Sequence, residues 1–244
     1  MKALITGSSG FIGSSILEWS RDFFDETYIL SRKFNQDRDN KISKIKTLNY
    51  KDYQLPNDID YIFHLAGNAE YNNKNFGNDS FELSKYLFDQ IDKSEKTGCL
   101  YFFSTLAAVE NHSEDDVIYE NTSPKPISEY GKTKLKIEKL LTNYKFKYYI
   151  LRLPMTFGKN MRKNSHILKF IELYYRYSFL KYINFPGNFS ILSINHLNII
   201  LKFIIESKLN FENNIIHLKT CEISLNDIYK TISTKEYPKF KIPY

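Results

Sequence analysis

Polar and apolar positions alternate along the chain in two rhythms. Continuous apolar runs at residues 2–6, 27–31, 45–49, 61–65, 100–104 and 148–153 have the length and composition of strands buried on both faces, as a parallel sheet requires. Between them the period lengthens. A stretch opening at Gly10 carries Ile12, Ile16, Trp19 and Phe23 at helical spacing, and amphipathic stretches cover residues 78–96 and 128–144. Strands alternating with helices predict an α/β fold on a doubly wound parallel sheet. After Pro154 the rhythm changes to helical patterns at 165–179 and 195–207, a short strand near 215–218, and a last helix capped by Ser224. We read residues 1–160 as the main α/β domain. Residues 161–244 read as a small, mostly helical cap with some strands returning to the main sheet, and no Pro/Gly/Ser-rich linker separates the two.

Composition narrows the class. The chain has 244 residues, 42% of them hydrophobic and 25% charged, which suits a globular protein with a full core. No apolar run approaches membrane-spanning length, and Ala3, Leu4 and Ile5 are too few for the core of a signal peptide. The chain therefore reads as cytoplasmic, with no membrane partner. Cys99 and Cys221 are too few for a disulfide framework, and no Cys/His spacing indicates a metal site. The formal charge of +6 is carried by scattered lysines rather than a basic helix interleaved with aromatics, so we expect no nucleic-acid partner. A mild basic excess suits small phosphate-bearing ligands equally well.

The first apolar run ends in Thr6-Gly7-Ser8-Ser9-Gly10-Phe11-Ile12-Gly13. Directly after a buried strand, one glycine permits a sharp turn, a second lets backbone N–H groups approach a pyrophosphate, and a third lets the next helix lie close to the sheet. The helix N-terminus then offers its partial positive charge to the phosphates. This segment strongly resembles the opening of the extended short-chain dehydrogenase/reductase family, whose members mostly act on nucleotide sugars. The resemblance implies a Rossmann-type sheet with a small C-terminal substrate-binding cap. It also implies a nicotinamide cofactor held by Gly7, Ser9, Gly10, Phe11, Ile12 and Gly13. At the end of the second strand, where an acid would bind the ribose hydroxyls of NAD, the chain has Ser31-Arg32-Lys33. A guanidinium can grip a 2′-phosphate with paired charge-assisted hydrogen bonds, so Arg32 points to NADP(H), with NAD as the alternative. Asp60-Tyr-Ile-Phe-His64-Leu65-Ala66-Gly67 resembles the family's fourth strand and the turn beneath the cofactor, which adds Leu65, Ala66 and Gly67 to the cofactor residues. His64 reads as a satisfied core histidine.

Three Tyr-x-x-x-Lys matches occur, at Tyr130/Lys134, Tyr177/Lys181 and Tyr237/Lys241. Only Tyr130 opens a long helical stretch that follows a strand ending in hydroxyls, Ser104-Thr105. The i, i+4 spacing puts Tyr130 and Lys134 on one helix face, and ligands bind at the C-terminal ends of parallel strands. A free phenol of pKa about 10 is a poor base near neutral pH, and a close ammonium lowers that value. Tyr130 is then the general acid/base, Lys134 tunes it and holds the nicotinamide ribose, and Thr105, or Ser104 as the alternative, hydrogen-bonds the reacting oxygen.

Leu151-Arg152-Leu153-Pro154 followed by Phe157-Gly158 resembles the family's sixth strand and the segment under the nicotinamide, which adds Pro154 to the cofactor residues. Lys159, Arg162 and Lys163 follow where relatives hold a nucleotide diphosphate. Dehydratases of the family carry an acidic pair after the catalytic Thr, whereas this chain has Leu106-Ala107. Together with Arg32, this favours an NADPH-dependent reductase of a 4-keto nucleotide-linked deoxysugar in surface-polysaccharide or deoxysugar biosynthesis. The alternatives are a nucleotide-sugar 4-epimerase holding NAD and a non-catalytic NADP-binding regulator. The resemblance also implies a homodimer through the helices near 78–96 and 128–144.

Overall fold

The computed structural model describes residues 1–31, 45–49, 53–67, 76–94, 96, 98–109, 118–161, 163, 165–177, 179, 182–183, 187–212 and 214–234. Its main sheet is built from β1 (Lys2–Thr6), β2 (Glu26–Ser31), β3 (Ile45–Asn49), β4 (Tyr61–His64), β5 (Cys99–Thr105), β6 (Tyr148–Leu153) and a later strand, Ile215–His217. Taking that later strand as β9, the order is β3-β2-β1-β4-β5-β6-β9, and every pairing is parallel. The chain winds outward from β1 to one edge, returns, and winds outward from β4 to the other. The reversal between β1 and β4 opens a crevice at their C-terminal ends.

Successive side chains of each strand enter two separate cores. From β1, Ala3 and Ile5 pack on the side of α1 (Phe11–Phe23), against Ile16 and Trp19. Leu4 points the other way, to Leu87 and Phe88 of α2 (Phe76–Lys93) and to Ile137 and Leu141 of α3 (Glu129–Leu141). Burial on both faces is why these strands read as continuous apolar runs. The helix ends follow local chemistry. Ser128 caps α3 by accepting the Gly131 N–H, and Ser165 caps α4 (His166–Arg176) through the Leu168 N–H.

The expected strands at 2–6, 45–49 and 148–153 match their observed bounds, and the others differ by one residue at one or both ends. A second sheet is new. β7 (Met155–Phe157), β8 (Asn188–Ser193) and β10 (Cys221–Ser224) form it, β7 running parallel to β8 and β10 antiparallel. α4 and α6 (Leu225–Thr234) pack against each other beside it, Tyr174 stacking on Tyr229. α5 (Ile194–Glu206) returns to the main core through Leu197 and Leu201. Among the described residues no helix is long and apolar enough to cross a membrane.

Phe63, fully buried in β4, touches the rings of Trp19, Phe24 and Tyr101 at the centre of the α1-side core. Phe63→Ala is expected to lower stability by about 3–5 kcal/mol, read as a shift in the urea midpoint at unchanged slope.

Candidate functional site

The strand ends at the crevice are joined by backbone packed too closely for side chains. Gly7 turns the chain at φ +73°, and a Cβ on Gly13 would lie 2.2 Å from the Gly7 carbonyl oxygen. The Gly10 N–H donates to that same oxygen at 2.9 Å. α1 therefore starts beneath the end of β1. Gly10, its N-cap, is extended, no side chain caps it, and its first turn holds no acid. The first N–H groups of the helix are thus uncapped by side chains, an arrangement that could hold an anion.

Behind this turn, His64 is fully buried in a directed chain of hydrogen bonds. The Ser84 hydroxyl donates to the Ser80 carbonyl, so it accepts from His64 Nε2–H at 2.9 Å. Nδ1 then accepts the Thr6 hydroxyl at 2.7 Å, and Thr6 Oγ1 accepts the Ala66 N–H at 3.0 Å. Burial, reinforced by the Lys134 ammonium, pushes the His64 pKa down to about 3. The ring is neutral and fixes the turn after β4, in keeping with the core-histidine reading.

Thr105 ends β5 half-buried, its oxygen accepting the Ala107 N–H at 3.2 Å. The Ser104 hydroxyl instead donates to the Glu138 carboxylate in the interior, which commits it elsewhere. Tyr130 lies in the first turn of α3, and a Cβ at the next residue, Gly131, would meet the Ala107 carbonyl at 2.3 Å. That close approach brings α3 against the 3-10 turn Leu106–Val109. Lys134 is 6% exposed. Its Nζ donates to the Phe103 carbonyl at 2.8 Å and sits 4.8 Å from the Phe102 ring centroid and 6.0 Å from that of Tyr130. Burial lowers its pKa to about 8, opposed by the Glu138 carboxylate.

These groups share one cavity of about 930 Å³, near the top of the roughly 300–1,000 Å³ range of small-molecule sites. Gly7, Gly10, Phe11, Ile12 and Gly13 line it together with Leu65 and Gly67 and with Thr105, Tyr130, Lys134 and Pro154. Ser9 is exposed and Ala66 is engaged through its backbone, so neither belongs to the lining. Arg32, Lys33 and Arg162 lie outside the described residues, while Lys159 and Lys163 are exposed. Two sets of residues were not anticipated. Asn188, Phe189 and Ser190 of β8 close the far end beside Met155, Thr156 and Met161, and only the unexpected second sheet brings them there. Glu138 and Arg152 form a buried ion pair behind Lys134, at 2.7 Å. A lone arginine inside the apolar run Tyr148–Leu153 was the available signal.

Sheet order and glycine turn define a Rossmann-type fold. The model of the NAD dependent epimerase/dehydratase family matches residues 3–177, and the chain belongs to that family. Several solved structures share the fold. UDP-glucuronic acid 4-epimerase from Bacillus cereus, in complex with NAD, superposes with a TM-score of 0.74 at 20% identity, over 97% of this chain and 84% of that one. UDP-N-acetylglucosamine 4-epimerase from Methanobrevibacter ruminantium, in complex with UDP-N-acetylmuramic acid, gives 0.75 at 21%, over 96% and 81%. dTDP-glucose 4,6-dehydratase from Bacillus anthracis, in complex with NAD, gives 0.71 at 13%, over 96% and 80%. A search of curated proteins found no match.

The buried His64 makes stability depend on pH. Folding depresses its pKa from 6.5 to about 3, so between those values the unfolded chain binds a proton that the folded chain refuses. The contribution is complete above about pH 6.5 and is lost as pH falls toward 3. Urea titrations across that range are expected to show stability falling with acidity, and His64→Asn to flatten the slope.

Proposed function

We propose that the chain reduces the keto group, at C4, of a nucleotide-linked deoxysugar with NADPH. The observation that carries this reading is the meeting of Thr105, Tyr130 and Lys134 in the same cavity as the glycine turn. When bound, the nicotinamide supplies a hydride to the carbonyl carbon. The protein does the rest. The Tyr130 hydroxyl gives its proton to the carbonyl oxygen as negative charge develops there. The Lys134 ammonium, held by the Phe103 carbonyl, favours the phenolate that remains. The Thr105 hydroxyl donates to the same oxygen. Residues 161–244 supply the sugar end of the cavity through Ser165 and the start of β8.

Two sequence features support reduction over the other reactions of the fold. Arg32 stands at the end of β2 where an acid would repel a 2′-phosphate. Leu106 and Ala107, both lining the cavity, replace the acidic pair associated with dehydration. The second reading is a nucleotide-sugar 4-epimerase that retains NAD. It is supported by the likeness to 4-epimerases solved with NAD or with UDP-sugars. Pairing of two copies through α2 and α3 belongs to either reading, and sedimentation as a monomer at micromolar concentration would remove it.

Denaturing the fresh protein, identifying any released nucleotide and titrating the emptied protein with NADPH and NADH separates the two readings. An empty protein that prefers NADPH is expected, and stoichiometric NAD transfers the proposal to the epimerase. Tyr130→Phe is expected to lower turnover by about 10²–10⁴-fold at unchanged cofactor affinity. Unchanged turnover would remove Tyr130 as the proton donor, and a wild-type protein that binds cofactor without turnover would be a non-catalytic binding protein.

A further inference from the structure

Tyr130, Lys134 and Glu138 stand one turn apart along a single face of α3. The first two border the cavity; Glu138, 3% exposed, lies beneath it. Its carboxylate is held from two strands. The Ser104 hydroxyl of β5 donates to Oε1. Arg152 of β6, 1% exposed, donates from Nε to Oε1 at 3.2 Å and from Nη2 to Oε2 at 2.7 Å. The remaining guanidinium nitrogen Nη1 lies 3.4 Å from His217 Nε2 of β9.

A buried ion pair is a poor source of stability, because removing both charges from water costs about as much as their attraction returns. An apolar pair would hold α3 to β6 as well. What it supplies is a fixed negative charge one turn behind a desolvated ammonium. The groups facing Lys134 are neutral His64 from β4, the Phe103 carbonyl from β5, and Tyr130 and Glu138 from α3, with Arg152 behind Glu138. We propose that Glu138 is a positioning residue: held by Ser104 and Arg152, its carboxylate keeps the buried Lys134 ammonium charged beneath Tyr130.

The proposal rests on Tyr130 and Lys134 as the proton-transfer pair only for its consequence. With the Lys134 pKa at about 8, the ammonium dominates at neutral pH. Losing the opposite charge one helical turn away is expected to lower such a value by about one unit, which leaves about half of Lys134 charged at neutral pH. Tyr130 would then be a weaker acid.

The test reads the charge directly. In the intact chain labelled on lysine, the Lys134 side-chain NMR signal, assigned by its loss in Lys134→Arg, is titrated in wild type, Glu138→Gln, the double variant Glu138→Gln/Arg152→Met and Ser104→Ala. The double variant leaves no unpaired guanidinium in the interior, so it decides the matter if the single variant does not fold. The midpoint is expected to fall by about one pH unit in the Glu138 variants and to stay put in Ser104→Ala, which loses a hydrogen bond but no charge. An unchanged midpoint in a folded Glu138 variant overturns the proposal. So does an equal fall in Ser104→Ala, because a general loosening of α3 then explains both. The titration needs no substrate, so failure of the catalytic reading would be seen separately, as unchanged turnover in Tyr130→Phe.

Discussion

No side chain fits between the first glycine turn and the strand beside it, and the crevice follows from that exclusion. A Cβ at Gly7 would sit 2.9 Å from both the Leu65 carbonyl carbon and the Ala66 nitrogen. β1, β4 and the start of α1 therefore interlock as backbone, and the N–H groups of α1 face the gap that the reversal of strand order opens. The rest of the molecule is fastened to this unit. Trp19 of α1 packs on Phe24 and Phe63 and donates its indole N–H to Asn198 of α5, whose amide donates to Ser15. The C-terminal part of the chain is thus tied to the helix that borders the crevice.

Burial acts on His64 and Lys134 in the same direction and leaves them in opposite states. Both pKa values are pushed down, but from 6.5 and 10.5, to about 3 and about 8. Histidine ends neutral and lysine ends charged at physiological pH. The two outcomes support each other. The ammonium helps to keep the imidazole neutral, and a neutral ring can accept the Thr6 hydroxyl and donate to Ser84, which fixes the loop carrying Leu65 and Gly67. One charged and one neutral group back to back cost less than two cations in the same interior.

How much of this was legible in the sequence depended on whether a segment's character was local. β1 and β6 could be bounded to the residue because strands covered on both faces are largely apolar. The glycine turn and the Tyr130–Lys134 pair could be found because their chemistry requires fixed spacings. Arg32 could be read only as a residue type after β2, since it lies outside the described residues. β7, β8 and β10 escaped because strands of three to six residues, half-exposed and mixed in polarity, carry no period of two long enough to register. Glu138 and Arg152 escaped for a different reason. Each is an ordinary charged residue in its own segment, and only the packing of α3 on β6 makes them a buried pair.

The unread second sheet also determines the environment of the reacting groups. Met155 of β7 and Phe189 of β8 stand with Leu106, Ile118 and Met161 around the end of the cavity beyond Thr105 and Tyr130. Apolar side chains there lower the local dielectric, and charges act on one another more strongly through such a space than through solvent. Thr156, Ser165, Asn188 and Ser190 are interspersed among them and give this part of the lining its hydrogen-bonding groups. Spacing in the first half of the chain sets which groups meet in the cavity, and the short strands of the second half set what surrounds them.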